Sequence, residues 1–181
     1  MRNIDWDGLF QRKRDYTYFT TSELTELLDR IKPTYNSAID LGCGTGQLSR
    51  ELYHRGFNVA GIDGSNVAIS VAKDASRYVT YFQSDLEKPF PDEILSQKYD
   101  LAICKLVFAF IENKDAFIVR SKEILNKNGV FVIITPTLEQ VTPEKRNIAV
   151  NLDETIRVLE FSFNTVENYE SNGSTVFIAK H

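Results

Sequence analysis

Short apolar segments alternate with amphipathic ones along most of the chain, and this alternation restricts the fold more than any other feature. The apolar segments are typical of buried strands and cover residues 37–42, 58–63, 78–83, 99–104 and 130–135. Residues with helical periodicity fill the intervals between them. Strands that alternate with helices, joined by right-handed crossovers, predict a doubly wound α/β domain with a mostly parallel sheet.

Polar residues at the start of the helical periodicities mark where the helices begin. Thr20 and Glu23 match a capping box ahead of the first predicted helix. We expect Thr45 to cap the helix after the first strand and Ser65 to cap the helix after the second strand.

The C-terminal part of the chain departs from simple alternation. We expect a helix over 113–129 that Gly129 closes, and a further helix over 152–161 that Asp153 caps. Two strands then flank the Asn-Gly pair at 172–173, which is typical of a two-residue hairpin turn. A hairpin that follows parallel strands predicts one antiparallel strand in the sheet.

Composition indicates an ordinary globular protein and argues against several classes of partner. The 181 residues predict one domain, with 43% hydrophobic and 25% charged residues, and a net charge of −4 gives no strong indication of nucleic-acid binding. Residues 1–10 lack a signal-peptide core, and the longest apolar run, 106–111, is too short for a membrane span. Cys43 and Cys104 make neither a disulfide framework nor a metal-ligand spacing, so we expect a cytoplasmic protein with reduced thiols.

Acidic residues stand at three of the predicted strand ends, as Asp40, Asp63 and Asp85, while the fourth strand ends at Cys104 and Lys105. In open α/β sheets, ligands bind beyond the carboxyl ends of the strands. Each aspartate alone is equally well explained by a cap or a turn. The row of three acids together predicts a ligand site at this edge of the sheet.

The segment AIDLGCGTGQL carries three glycines within five positions, which predicts a backbone pressed against a ligand. A dinucleotide fingerprint requires G-x-G-x-x-G, whereas the glycines here are Gly42, Gly44 and Gly46, and position 47 is Gln47. Asp40 would also bring negative charge towards a pyrophosphate. A P-loop requires a lysine directly after its glycines, and none follows here.

A phosphate-free adenosine with a cationic end fits these residues better. Asp63 would accept hydrogen bonds from two ribose hydroxyls, although an acid at this position also suits a dinucleotide. Asp85 would reach the adenine amine, and Asp40 would tolerate an ammonium and a sulfonium. S-adenosylmethionine combines all of these groups.

The segments AIDLGCGTGQLSREL, GIDGS, FQSDL, YDLAIC and NGVFVIITP together resemble the class I S-adenosylmethionine-dependent methyltransferases, over about residues 37–136. The resemblance implies a Rossmann-like, seven-stranded sheet in the order 3-2-1-4-5-7-6, with helices on both faces and an antiparallel final strand. It also implies one methyltransferase domain over 1–181. In that domain, 1–35 would form a helical segment that covers the site in many relatives, 36–136 the cofactor-binding core, and 137–181 a C-terminal helix and hairpin.

The resemblance implies S-adenosyl-L-methionine as the cofactor. Gly42 and Gly44 would lie against its methionine part, and the backbone N–H of Leu86 would bind an adenine nitrogen. A carbonyl at Cys104 or Lys105 would hold its ammonium. The implied cofactor-binding residues are Asp40, Gly42, Cys43, Gly44, Gly46, Asp63, Gly64, Ser65, Asp85, Leu86, Cys104 and Lys105.

The implied activity is transfer of a methyl group to a small-molecule acceptor by in-line displacement. The N-P-P-Y motif of nucleic-acid amino-methylating relatives is absent after the fourth strand, as is the acid or histidine of many members. Because the sulfonium is a good leaving group, positioning can supply most of the rate, and no catalytic residue is identified. Candidate acceptor residues are Tyr16, Tyr18, Lys105 and Phe108, although Phe108 also suits a short core helix and Lys105 a solvent-facing position.

Two other functions are consistent with parts of this pattern. The missing acid or histidine also suits a non-catalytic S-adenosylmethionine-binding module that acts as a sensor or a partner subunit. A nucleotide-linked oxidoreductase would explain Asp63, but Gln47 and Asp40 argue against it.

Overall fold

A computed structural model describes residues 4–12, 19–33 and 36–181. These residues form a seven-stranded sheet in the order β3-β2-β1-β4-β5-β7-β6. Strands β1 to β5 pair in parallel, and β7 runs antiparallel to both β5 and β6. The predicted fold class and strand order are therefore confirmed. The strands are β1 Ser37–Leu41, β2 Asn58–Asp63, β3 Thr80–Gln83, β4 Tyr99–Lys105, β5 Leu125–Thr135, β6 Thr165–Ser171 and β7 Ser174–Lys180.

Helices flank the sheet and connect its strands. They are α1 Trp6–Gln11, α2 Thr21–Ile31, α3 Gln47–His54, α4 Asn66–Ala75, α5 Asp92–Leu95, α6 Lys114–Glu123 and α7 Leu152–Ser162, with 3-10 turns at Phe108–Phe110 and Pro143–Ile148. The predicted capping box holds α2, where the backbone N–H of Thr20 donates to Glu23 over 2.8 Å. Ser65 caps α4 as predicted, because its hydroxyl accepts from the backbone N–H of Ala68. None of the helices described is both long and apolar enough to cross a membrane.

Two of the predicted helix caps are wrong. The N-cap of α3 is Gly46, at φ +78°, with no side-chain capping bond, so Thr45 does not cap this helix. At α7 the cap is Asn151, whose side chain accepts from the backbone N–H of Glu154 over 2.9 Å. Asp153 instead lies in the first turn, where its charge complements the helix dipole.

The predicted helix over 113–129 is too long, because α6 ends at Glu123 and β5 begins at Leu125. The register between β4 and β5 shifts here, since Tyr99 pairs with Leu125 and Leu101 with Val130. The intervening residues form an irregular stretch in β5 rather than helix. The helical periodicity of the sequence extends beyond Glu123, but from Leu125 the backbone pairs with β4 instead.

Two hydrophobic clusters sandwich the sheet, and β5 belongs to both. Phe131 and Ile133 face one cluster, while Val130, Val132 and Ile134 face the other. Successive side chains of a strand point to opposite faces, so a strand with both faces covered is apolar throughout. Because both faces of the central strands are covered, their carboxyl ends are the part of the sheet where a site can form.

Candidate functional site

The carboxyl ends of β1, β2 and β4 open into a cavity of about 90 Å³, here called the first cavity. Its walls come from α1, the glycine-rich segment 42–48, the tip of β2 and residues 105–107 after β4. Among the residues expected to bind a cofactor, those on its lining are Asp40, Gly42, Cys43, Gly44, Asp63, Gly64 and Lys105. The others, Gly46, Ser65, Asp85, Leu86 and Cys104, lie outside this lining.

The glycine loop adopts backbone conformations that other residues rarely reach. Gly42, Gly44 and Gly46 have φ angles of +84°, +52° and +78°. A Cβ on Gly42 would lie 2.4 Å from the nearest methyl carbon of Val107, and one on Gly44 would lie 3.3 Å from the ring of Phe10. Glycine is therefore required here by both conformation and space.

Asp63 fixes the geometry at the tip of β2. One carboxylate oxygen accepts from the backbone N–H of Gly44 over 2.9 Å, and the other accepts from the backbone N–H of Ser65 over 2.8 Å. Burial raises the pKa of Asp63 and these two bonds oppose the shift. A carboxylate has about four lone-pair positions, so further donors can still bind it from the cavity.

Asp40 lies beneath the glycine loop with only 2% of its surface exposed. The hydroxyl of Ser49 donates to its carboxylate over 2.6 Å. Burial raises the pKa of Asp40 to about 6, while the Ser49 bond and the positive charge of Lys105 lower it. The first cavity therefore holds one buried and one half-buried carboxyl group near one lysine, an arrangement suited to a cationic ligand.

Asp85 and Leu86 lie at the turn after β3. One Asp85 carboxylate oxygen accepts from the backbone N–H of Glu87 over 3.0 Å, so this side chain forms a local turn. Leu86 is fully buried, and its backbone carbonyl accepts from the Arg120 guanidinium over 2.7 Å. Beside them, a Cβ on Gly64 would meet only the carbonyl of Ser84, at 3.9 Å, so there is open space between the tips of β2 and β3.

Helix α1 covers the first cavity and is attached by contacts that sequence reasoning missed. The Asp7 carboxylate accepts from the Ser65 hydroxyl over 2.5 Å and from the backbone N–H of Val67 over 3.3 Å. Trp6 packs edge-on against Phe110 with ring centroids 5.1 Å apart. The Trp-Asp pair at 6–7 is visible in the sequence, but the groups that Asp7 binds lie about 60 residues away along the chain. Tyr16 and Tyr18 lie outside the described residues.

A second cavity, of about 340 Å³, adjoins the first at Lys105 and Leu106. It is lined by residues from the start of α2, from the segment 134–148 and from the turn between β6 and β7. Phe110 faces it, whereas Phe108 is fully buried in the core. Of the two interpretations of Phe108, the structure thus favours a position in a short core helix over a contact with the acceptor.

Both cysteines are free and buried, and burial raises the pKa of each thiol. Cys43 lines the first cavity, while Cys104 lies inside the core beneath it. Within ranges 4–12, 19–33 and 36–181 no cluster of three or more histidine, cysteine, aspartate or glutamate residues could hold a metal ion.

Comparisons with known proteins agree with this architecture. The sequence model of a family described as "Methyltransferase domain" matches residues 35–171. The ubiquinone biosynthesis O-methyltransferase of Rickettsia canadensis is 34% identical over 122 residues, which cover 62% of this chain and 50% of that protein. Its counterpart in Rickettsia felis is 33% identical over 121 residues, or 62% of this chain and 48% of that protein. The chain spans about half the length of these curated relatives.

Solved structures share the fold at lower identity. The plantazolicin methyltransferase BamL, in complex with a triazolic desmethylPZN analog and SAH, superposes with a TM-score of 0.72 at 16% identity, covering 87% of this chain and 83% of that one. An S-adenosylmethionine-dependent methyltransferase from Mesorhizobium loti gives a TM-score of 0.69 at 18% identity, covering 86% and 96%.

Proposed function

The chain belongs to the class I S-adenosylmethionine-dependent methyltransferase family, and we propose that it transfers a methyl group from S-adenosylmethionine to a small-molecule acceptor. The observation that carries this proposal is the Asp63 carboxylate, which joins the glycine loop to the tip of β2. The relatives named above include enzymes for a ubiquinone precursor step and for plantazolicin, which supports a small-molecule acceptor.

The first cavity, together with the tips of β2 and β3 beside it, offers a partner to each group of the proposed cofactor. Asp63 would offer its half-buried carboxylate oxygens to the ribose hydroxyls, and the open space beside Gly64 offers room for adenine. The backbone N–H of Leu86 and the carboxylate of Asp85 would complete the adenine contacts. Gly42 and Gly44 would lie against the methionine part, with Cys43 and Gly46 in the same loop and Ser65 holding the start of α4.

The charges of the cavity suit the cationic end of the same molecule. When bound, S-adenosylmethionine supplies an electrophilic methyl group on a sulfonium. Asp40 would face its positive charges, and a carbonyl at Cys104 or Lys105 would accept from its ammonium. In-line displacement needs alignment of acceptor and methyl before anything else, and the rigid carboxyl ends of the strands provide that alignment.

Helix α1 would complete the site as a cover. Trp6 and Phe10 place apolar rings over the glycine loop, and the Asp7 contact with Ser65 attaches the helix beside Asp63. Rings in this position exclude water from the reacting atoms and stabilise a sulfonium by cation–π attraction.

We therefore treat residues 1–35 as the covering segment of one domain that spans 1–181, with 36–136 as its cofactor core and 137–181 as its C-terminal part. We place its action in the cytoplasm, where buried thiols such as Cys43 stay reduced.

The acceptor would enter through the second cavity and meet the methyl group near Lys105, which lines both cavities. In the described part of the chain no histidine lines either cavity. We therefore assign catalysis to positioning and exclusion of water.

Replacement of Asp63 by alanine tests the cofactor site. We expect Asp63→Ala to weaken S-adenosylhomocysteine binding by roughly 1–3 kcal/mol, because hydrogen-bonded polar groups lose their partner. Isothermal titration measures the change, and circular dichroism establishes that the variant is folded. Asp74→Ala, which alters an exposed acid on α4, is the matched control and should bind like the parent. An unchanged affinity in folded Asp63→Ala would contradict the site.

Turnover separates an enzyme from a binding module. Formation of S-adenosylhomocysteine from S-adenosylmethionine, followed across a panel of small hydroxyl, amine and thiol compounds, should depend on one class of acceptor. Cofactor binding without turnover on any of these acceptors would favour the hypothesis of a non-catalytic sensor or partner subunit. A larger thermal stabilisation by nicotinamide dinucleotide than by S-adenosylhomocysteine would instead favour an oxidoreductase.

A further inference from the structure

The walls of the second cavity are largely apolar. Phe19 and Ile134 are buried with only 4% and 3% of their surfaces exposed, and Phe110 and Ile148 face the same space. A volume of about 340 Å³ falls at the small end of the range for sites that enclose small organic molecules. The cavity therefore suits a compact ligand with an apolar body.

Of the two lysines at this cavity, Lys105 lies near the Asp40 carboxylate and lowers its pKa, whereas Lys145 lies on this cavity alone. Lys105 and Lys145 both line it, and among the described residues the one carboxylate on its lining is Glu23. That carboxylate is engaged in the capping box of α2, where it accepts from the backbone N–H of Thr20 over 2.8 Å and from its hydroxyl over 2.5 Å. One oxygen of Glu23 is thus held at the start of α2.

Gln140 adds a positioned donor to the same wall. Its side-chain oxygen accepts from the backbone N–H of Thr137 over 2.9 Å and from the hydroxyl of Thr175 over 3.1 Å. Two donors on the oxygen determine which way the amide is turned, so the remaining end is its NH2 group. The Gln140 NH2 group and the Lys145 ammonium are therefore donors on this wall, and they suit a ligand that supplies an acceptor.

We propose that the methyl acceptor is an apolar molecule that carries a carboxylate, and that Gln140 and Lys145 recognise this carboxylate in the second cavity. Lys145 lines only the second cavity, whereas Lys105 lies where the two cavities meet. The anionic end would lie towards Lys145, and the atom that receives the methyl group would lie towards Lys105. Lys145 thereby determines which acceptors bind and takes no part in the transfer itself. The identity of this ligand as the acceptor rests on the proposed function.

A matched pair of probes tests the recognition without the cofactor. 2-Naphthoate and 2-naphthamide have the same apolar body, but only the first carries a negative charge. Each is titrated into ¹⁵N-labelled protein, and the side-chain NH2 resonances of Gln140 and the backbone resonances of the segment 134–148 are followed. We expect 2-naphthoate to bind more tightly and to shift the Gln140 resonances.

Lys145 is exposed, so Lys145→Met should weaken 2-naphthoate by roughly two- to fivefold, the effect of a solvated ion pair, and leave 2-naphthamide unchanged. Lys127→Met removes an exposed lysine from the start of β5, outside the cavity lining, and should change neither affinity. Val141→Trp fills the cavity and should weaken both probes, which locates the site.

Equal affinities for the two probes would overturn the proposal, as would a charge preference that survives Lys145→Met or 2-naphthoate shifts away from the segment 134–148. S-adenosylhomocysteine binding is titrated separately. If S-adenosylhomocysteine binds but 2-naphthoate does not, only the carboxylate inference fails. If the naphthoate preference holds but S-adenosylhomocysteine does not bind, the proposed function fails and the anion site stands.

Discussion

The two cavities share Lys105 and Leu106, yet they are built in opposite ways. The first draws half of its lining from one short segment, 40–48, because the glycine loop follows β1 directly, and the rest from α1, the tip of β2 and residues 105–107. The second joins four parts of the chain that are far apart in sequence, around Phe19, around Phe110, in the segment 134–148 and at the turn 171–174. Both cavities need the strand order of the sheet, but the first depends more on the local backbone of a single loop.

Their electrostatics differ as well. The first cavity contains the buried acid Asp40 and the half-buried acid Asp63, and desolvation raises the pKa of both. The second presents two lysines on largely apolar walls. A molecule that extended across both would meet negative charge at one end and positive charge at the other, which favours one orientation of each ligand.

Gly42→Ala should produce the largest effect and tests whether the first cavity depends on local backbone geometry. At φ +84° an alanine costs roughly 1–2 kcal/mol, and its Cβ, 2.4 Å from Val107, adds about 1–3 kcal/mol through overpacking. The free energy of unfolding, measured with urea, should fall by the sum of the two.

Gly56→Ala is the matched control, because Gly56 has φ +89° and nothing lies within 4 Å of its Cβ position. It should show the conformational cost alone, roughly 1–2 kcal/mol. Val107→Ala, combined with Gly42→Ala, should recover the steric part. Equal losses in the two single alanine variants would mean that the glycine loop is not tightly packed.

The contrast between the cavities explains what the sequence predicted. The glycine loop and the acids at the strand ends follow from local patterns, and the glycine φ angles give the physical reason. The strand order was implied by the family resemblance rather than by any local pattern. Asp7, Gln140 and Lys145 carry no such local mark. Their partners or neighbours are distant in sequence, so only the assembled sheet shows which groups they meet.

The misplaced helix features have related causes. Asn151 and Asp153 are both of residue types favoured as N-caps. The cap is Asn151 because it is the last residue with extended backbone before the helix. The helix expected to reach Gly129 stopped early, because pairing between Tyr99 and Leu125 overrode helical periodicity. Local pattern therefore identified the elements, while tertiary pairing determined their ends.

Asp40→Asn should produce the next largest effect and tests whether the buried charge destabilises the fold. The native pKa of Asp40 is about 6, above its ordinary value of 3.8, so the native state holds its proton more tightly than the unfolded state. Stability contributed by protonated Asp40 is present below about pH 4 and is lost as the pH rises to about 6. This difference corresponds to roughly 3 kcal/mol at neutral pH.

Asparagine keeps an oxygen for the Ser49 hydroxyl but carries no charge. Asp40→Asn should therefore be more stable than the parent at pH 7.5, by at most that amount, and should lose its advantage near pH 4. Urea unfolding at both pH values measures this, with Asp74→Asn, at an exposed acid, as the control. A variant less stable than the parent at pH 7.5 would show that the Asp40 charge is fully compensated by its neighbours.

Asn172→Ala should produce the smallest effect. The turn at 172–173 lines the second cavity, yet its conformation is determined by local sequence. Asn172 and Gly173 have φ angles of +47° and +74°, as a type I′ hairpin turn requires. Alanine at position 172 should cost about 1 kcal/mol in urea unfolding, whereas Asn172→Gly should change stability by less than about 0.5 kcal/mol. Because β7 is also held by its pairing with β5, the cavity wall should keep its place and 2-naphthoate affinity should be unchanged in both variants. Loss of 2-naphthoate binding in folded Asn172→Ala would mean that the turn itself shapes the cavity, and the distinction between a locally built and a globally built site would fail.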